Sequence, residues 1–115
     1  MRAREVTAGE FRRQLNALGA EYRRRLPEKL ADIDRLWRDL RAGNLPPVAL
    51  TELRRELHTL AGSAKTFGVA HVSELAALAE MVLEPFCEQG SLPDPAGAVE
   101  LARLLEALQR PGGDD

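Results

Sequence analysis

Two histidines occur in the 115 residues, and one of them stands where its side chain could act as a nucleophile. His58 lies in the run Leu57-His58-Thr59-Leu60-Ala61-Gly62-Ser63-Ala64-Lys65-Thr66-Phe67-Gly68. An imidazole is substantially neutral near pH 7, and its unprotonated nitrogen can form covalent intermediates. Gly62 follows one helical turn later. Glycine inside a helix costs about 1 kcal/mol relative to alanine, so its presence asks for a reason, and access to His58 supplies one.

Access matters only if the stretch is helical. Leu50, Leu53, Leu57, Leu60, Ala64 and Phe67 recur at steps of three and four, the period of a helix buried along one stripe. On that wheel His58 lies roughly 140° from the middle of the stripe and points outward. Arg54, Ala61, Gly62 and Lys65 share its side of the helix. Helical side chains lean toward the N-terminus, so a residue at position 62 would lean over the imidazole. Arg54 and Lys65 would bracket a doubly charged anion carried on the ring. A solvated surface histidine would occupy the same place on the wheel, and geometry alone does not separate the two readings.

Other chemistries find little support. His71 lies beyond the turn at Gly68, with neither an HExxH pattern nor a cysteine cluster, and reads as a surface or capping residue. No Walker loop or dinucleotide-binding glycine pattern occurs, so the chain lacks the parts to bind ATP and phosphorylate itself. No serine is set against a histidine base. Arg12, Arg13, Arg23, Arg24 and Arg25 form a basic run, but Glu10, Glu21, Glu28 and Asp32 interleave and no aromatic platform accompanies them. A net charge of −2 likewise implies no polyanionic partner. No nucleic acid, resident metal or membrane is expected, since no apolar run approaches the length of a span. Met1-Arg-Ala-Arg-Glu has no hydrophobic stretch after it and does not read as a secretory signal. The single cysteine, Cys87, excludes an internal disulfide and suits a reduced cytoplasmic setting.

The elements that must position His58 read as helices around one core. Residues 1–8 are a lead-in. Phe11, Leu15, Leu18 and Tyr22 mark a first helix, begun by Thr7 or Glu10. Pro27 breaks or restarts it. Leu26, Leu30, Ile33, Trp37 and Leu40 form a second stripe ending near Arg41, with Trp37 in the core. Gly43 to Pro47 is a turn. The histidine helix opens at Thr51 or just before, with Glu52 in its first turn, and stops at Phe67-Gly68 with glycine left-handed. The next helix runs from about Ala70 until Pro85 ends or kinks it, with Leu78 beside Ala79 for close packing. After the turn at 90–95, a last helix spans about Ala96 to Gln109, offering Val99, Leu101, Leu104, Leu105 and Leu108 for burial. Residues 1–110 are expected to form the domain, and 111–115 a flexible tail or the start of a linker. The expected fold is all-α: an antiparallel up-down-up-down four-helix bundle with an additional N-terminal helix, acting as a monomer.

The run from His58 through Gly62, Ser63 and Ala64 to Gly68 resembles the signature of histidine-containing phosphotransfer (HPt) domains. The family pattern is His-x-Leu-Lys-Gly-Ser/Gly-Ala/Ser, with a second glycine ten residues after the histidine. The likeness is especially close to the phosphotransfer domain of chemotaxis histidine kinases, which share the Thr-Phe-Gly ending, and it continues through Leu75, Leu78 and Glu80. One departure is that the usual lysine is Ala61 here, leaving Lys65 to supply the charge. The resemblance implies a four-helix bundle and a phosphohistidine carrier of a two-component phosphorelay. His58 would be the phosphoacceptor, through Nε2, exchanging phosphoryl groups with receiver-domain aspartates or accepting them from a sensor histidine kinase. Magnesium would belong to the response-regulator receiver, and this chain would hold no cofactor of its own. Glu80 matches an acidic residue that in chemotaxis kinases bonds the other ring nitrogen. The rival expectations are a non-catalytic helical adaptor that docks through this face, and the N-terminal module of a larger signalling protein.

Overall fold

The computed structural model describes residues 7–110. The lead-in before Thr7 and the tail at 111–115 lie outside them. Four helices follow in order: α1, Ala8–Arg41; α2, Leu50–Thr66; α3, Ala70–Gln89; and α4, Pro95–Gln109. A short 3-10 turn, Pro47–Ala49, leads into α2. No strand occurs among the described residues.

α1 begins where Thr7 caps it, accepting a hydrogen bond at Oγ1 from the Glu10 amide at 3.0 Å. It then runs unbroken for 34 residues, through Pro27. The separate N-terminal helix is therefore not present: its sequence is the first half of α1. Pro27 is exposed, so water can serve the carbonyl one turn earlier that a proline leaves without a donor. Tyr22 and Leu26 before it pack against the core that Leu30 and Ile33 enter after it, and this burial outweighs the local cost of the proline. Pro85 is likewise passed over by α3, which ends at Gln89 and is capped by Gly90, left-handed at φ 69°.

The buried side chains form one apolar core. α1 contributes Leu30, Ile33, Trp37 and Leu40, and α2 contributes Leu50, Leu53, Leu57, Leu60 and Ala64. α3 adds Val72, Ala76, Ala79 and Leu83, and α4 adds Leu101, Leu105 and Leu108. No polar or charged side chain is buried among the described residues. Val99, expected in the core, is exposed instead: it stands two residues before Leu101, on the far side of α4. α2 packs mainly on α3 and α3 on α4, while α1 closes the bundle against α2 and α4. Alanines at 76 and 79, both fully buried, let α2 and α3 approach closely.

The first third of α1 overhangs this bundle. Gly19 is the first α1 residue to be buried, against Phe67 at the end of α2. Beside it the Tyr22 and Phe67 rings stack with centroids 4.8 Å apart. Every residue from 11 to 18 is exposed, and the molecule measures 58 × 35 × 21 Å.

Candidate functional site

The stripe that buries Leu57, Leu60 and Ala64 turns His58 to the outer surface of α2. The imidazole is 75 % exposed. Across the α2–α3 seam, Glu80 is only 22 % exposed, and its two carboxylate oxygens lie 3.0 and 3.1 Å from His58 Nδ1. A carboxylate accepts, so Nδ1–H is the donor in this contact, and in the neutral ring that leaves the lone pair on Nε2. Glu80 is held in reach because its neighbour Ala79 and Ala76 are buried against α2. A second tie spans the seam: Ser73 Oγ donates to the Ala61 carbonyl at 2.8 Å.

A cleft of about 600 Å³ lies between α2 and α3 on one side of the His58–Glu80 pair. Ala61, Gly62, Lys65, Gly68, Ala70, Ser73, Glu74 and Ala77 complete its lining. Its floor is built from small side chains, which leaves the imidazole approachable along the groove. A Cβ at Gly62 would meet nothing within 4 Å. Helix packing therefore does not require glycine there, and only longer side chains would intrude on the ring. On the other side of the pair, a depression of about 290 Å³ is lined by Thr51, Arg54, Arg55, His58 and Glu80. The His58–Glu80 pair thus forms a wall between a groove holding Lys65 and one holding two arginines.

The residues singled out from sequence do not all meet at this site. His58, Gly62, Lys65 and Glu80 share the main cleft, and Arg54 lies in the neighbouring depression with its Nε buried and without a hydrogen-bond partner. Ser63 faces the other way. Its hydroxyl is 2.8 Å from Tyr22 OH on α1 and donates to the Leu60 carbonyl at 3.3 Å. It ties α1 to the histidine helix and does not line the cleft. Arg23 reinforces the same junction by donating from Nη2 to the Phe67 carbonyl at 3.1 Å. Arg55 was not singled out, although its place three residues before His58 puts it on the same outward side. Ser73 and Glu74 carried no signal, because their nearness to His58 depends on how α3 returns along α2. His71 is half-buried in a separate depression with Leu26, Leu30 and Val72. Cys87 is also half-buried near Arg54. Burial pushes its thiol pKa up, and the guanidinium only partly opposes this.

An exposed imidazole with one nitrogen tied to a carboxylate and the other free, beside a groove with a lysine, is suited to carrying a transferable anionic group. A family model for the Hpt domain matches residues 17–111, and the chain belongs to the Hpt domain family. Hpt domains are phosphotransfer carriers of phosphorelays, working with histidine kinases and receiver domains. No curated protein matches the chain, and no solved structure does. No helix among the described residues is long and apolar enough to cross a membrane.

Proposed function

We propose that His58 is the phosphoacceptor of this domain. Nε2 attacks the phosphorus of a receiver's aspartyl phosphate. The N–P bond forms as the acyl–phosphate P–O bond breaks, and the aspartate leaves as a carboxylate. The reverse step delivers the group to another receiver aspartate, and a histidine kinase is the alternative donor. The observation that carries this reading is the Glu80 carboxylate on Nδ1 of a largely exposed ring. It fixes the tautomer with Nε2 unprotonated, and it gives the positive charge that develops on the imidazole a partner.

The rest of the chain serves this chemistry by positioning. Phosphoryl transfer needs in-line approach and neutralisation of the equatorial oxygens more than it needs covalent help. The receiver supplies its own magnesium and acidic pocket, while Lys65 and Arg54 approach the phosphoryl oxygens from the two sides of the ring. Lys65 takes the part of the lysine that the family pattern places at position 61. The protein is an intermediate with no ATP site of its own, acting in the cytoplasm where receivers and a reduced Cys87 belong. Its helices alternate up and down, which the short connections at 67–69 and 90–94 support.

The test is to incubate the protein with phosphorylated receiver domains and magnesium, then look for an acid-labile, base-stable label. The label is expected on the parent protein and absent from His58→Gln, whose fold should be unchanged because the side chain is exposed. Label persisting on the variant, or moving to His71, would remove His58 from the role.

A further inference from the structure

The two helices that flank His58 present walls of opposite sign. α2 brings Arg54, Arg55 and Lys65 to the cleft and the depression beside it, and α3 brings Glu74 and Glu80. The split continues along α3, which carries Glu84 and Glu88 as well and has no lysine or arginine. Glu80 is engaged by His58. Glu74, Glu84 and Glu88 make no ion pair among the described residues, and neither do the three cations of α2. Apart from Arg12 and Arg13 on the overhang of α1, every other cation among the described residues is engaged by a carboxylate, a carbonyl or a ring. The acids of α2 do not neutralise its wall: Glu56 is paired with Lys29 of α1, and Glu52 lines neither hollow. Between the walls the floor is apolar, lined by Ala61, Gly62, Ala70 and Ala77. One turn beyond Ala77, Met81 is 66 % exposed.

We propose that this face is read by a receiver whose own charges are split the opposite way. Its acidic side chains lie over the α2 wall, its basic side chains over the α3 wall, and an apolar side chain sits on the floor between them. The inference rests on His58 being the phosphoacceptor. A receiver must then bring its aspartyl phosphate to Nε2, and the surface it covers is the surface around that point. Opposite charges across an interface steer the encounter, while like charges set face to face cost free energy. A receiver turned half-way round over His58 would set acid against acid and base against base. The split therefore admits one orientation, and with it one line of approach to the phosphorus. A partner of uniform charge would gain on one wall what it lost on the other, so the pattern is recognised and not the net charge. Ala61 fits this arrangement: a lysine there would put a cation in the floor, whereas Lys65 keeps the charge on the α2 side.

The test reverses one charge on each wall, Arg55→Glu and Glu74→Lys, and uses the phosphorylated receiver domain that labels the parent fastest. Both sites are exposed, and both new residues are good helix formers, so helical content should match the parent. Each variant should accept phosphate from the receiver about threefold to tenfold more slowly. The receiver concentration at half-maximal rate should rise, with little change in the rate at saturation. The double variant keeps the net charge of −2 and should be the slowest of the three. Phosphoramidate, which passes its phosphoryl group to Nε2 with loss of ammonia, needs no docking. It should label all three variants within about twofold of the parent rate at physiological ionic strength. Steering by net charge alone would move the two single variants in opposite directions and return the double variant to the parent rate, and that result overturns the proposal. Parent-like transfer by every variant overturns it too, as does an equal slowing with phosphoramidate, which would place the effect on His58 itself. Parent-like transfer from the receiver, with slower labelling from ATP and a histidine kinase, would give the surface to the kinase and overturn the receiver as its occupant. A parent chain that phosphoramidate fails to label at His58 would sink the phosphoacceptor reading, and this one with it.

Discussion

Glu80 and His58 are 22 residues apart in sequence and meet across the α2–α3 seam, with both carboxylate oxygens within 3.1 Å of Nδ1. The contact orients the ring and selects its tautomer. Glu80→Ala should therefore leave the fold intact, since Glu80 makes no part of the core, but slow phosphate acceptance. A slowing of about tenfold corresponds to roughly 1.4 kcal/mol of lost transition-state stabilisation. Imidazole nitrogen shifts should move from predominantly Nδ1-protonated toward a mixture of tautomers. An unchanged tautomer ratio together with a parent-like rate would show that Glu80 is only a surface neighbour.

Gly62→Gln separates clearance from packing. The open space around Gly62 admits the new side chain without strain, and glutamine is the better helix former by up to about 1 kcal/mol. Thermal stability should hold or rise. Transfer should slow, because the side chain leans toward the N-terminus and over His58. Higher stability with an unchanged transfer rate would leave the glycine unexplained by access.

What sequence could and could not disclose divides along physical lines. The period of Leu50, Leu53, Leu57, Leu60 and Ala64 reports burial directly, because each position faces the core or does not. That was enough to turn His58 outward. The continuity of α1 was hidden, because Pro27 has a local cost that is visible in sequence, while the burial of Leu26 and Leu30 that offsets it is tertiary. Ser63 belongs to the motif by residue type and place, but its orientation is settled by Tyr22, 41 residues away. Glu80 was reachable only through resemblance, since spacing within one helix says nothing about a neighbour on the next. Val99 was misplaced because an apolar residue is no guarantee of burial.

Glu21 gives α1 an acid-sensitive feature. Hydrogen bonds from Arg24 and Arg25 lower its pKa from the ordinary 4.5 to about 2. Between those values the unfolded chain binds the proton and the folded chain does not, so stability rises with pH there. The contribution is complete above 4.5 and is lost as pH falls toward about 2. Because the group is exposed, the effect should be small and weakened by salt. Melting of the parent and of Glu21→Gln should differ near neutral pH and converge as the pH approaches 2. A gap that stays constant across that range would mean the pairing has no linkage to folding.

Lys65 and Arg54 stand on opposite sides of the His58–Glu80 wall, one in the main groove and one in the depression beside it. If both neutralise phosphoryl oxygens, each acts mainly in the transition state and little in the free protein. Lys65→Ala should then leave stability within about 1 kcal/mol of the parent, as expected for an exposed charge. Its transfer rate should fall, by about tenfold for each 1.4 kcal/mol lost. Arg54→Ala should slow transfer as well, but it should also lower stability, because Arg54 is half-buried and a long side chain covers apolar surface with its stem. The double variant shows whether the two share one load: a combined loss smaller than the sum of the single losses means they do. Raising the salt concentration should shrink the effect of Lys65 more than that of Arg54, since screening reaches an exposed charge more fully than a sheltered one. A double variant that transfers at the parent rate in low salt would place all of the neutralising charge on the receiver and its magnesium, leaving Lys65 a solubilising residue and Arg54 a packing one.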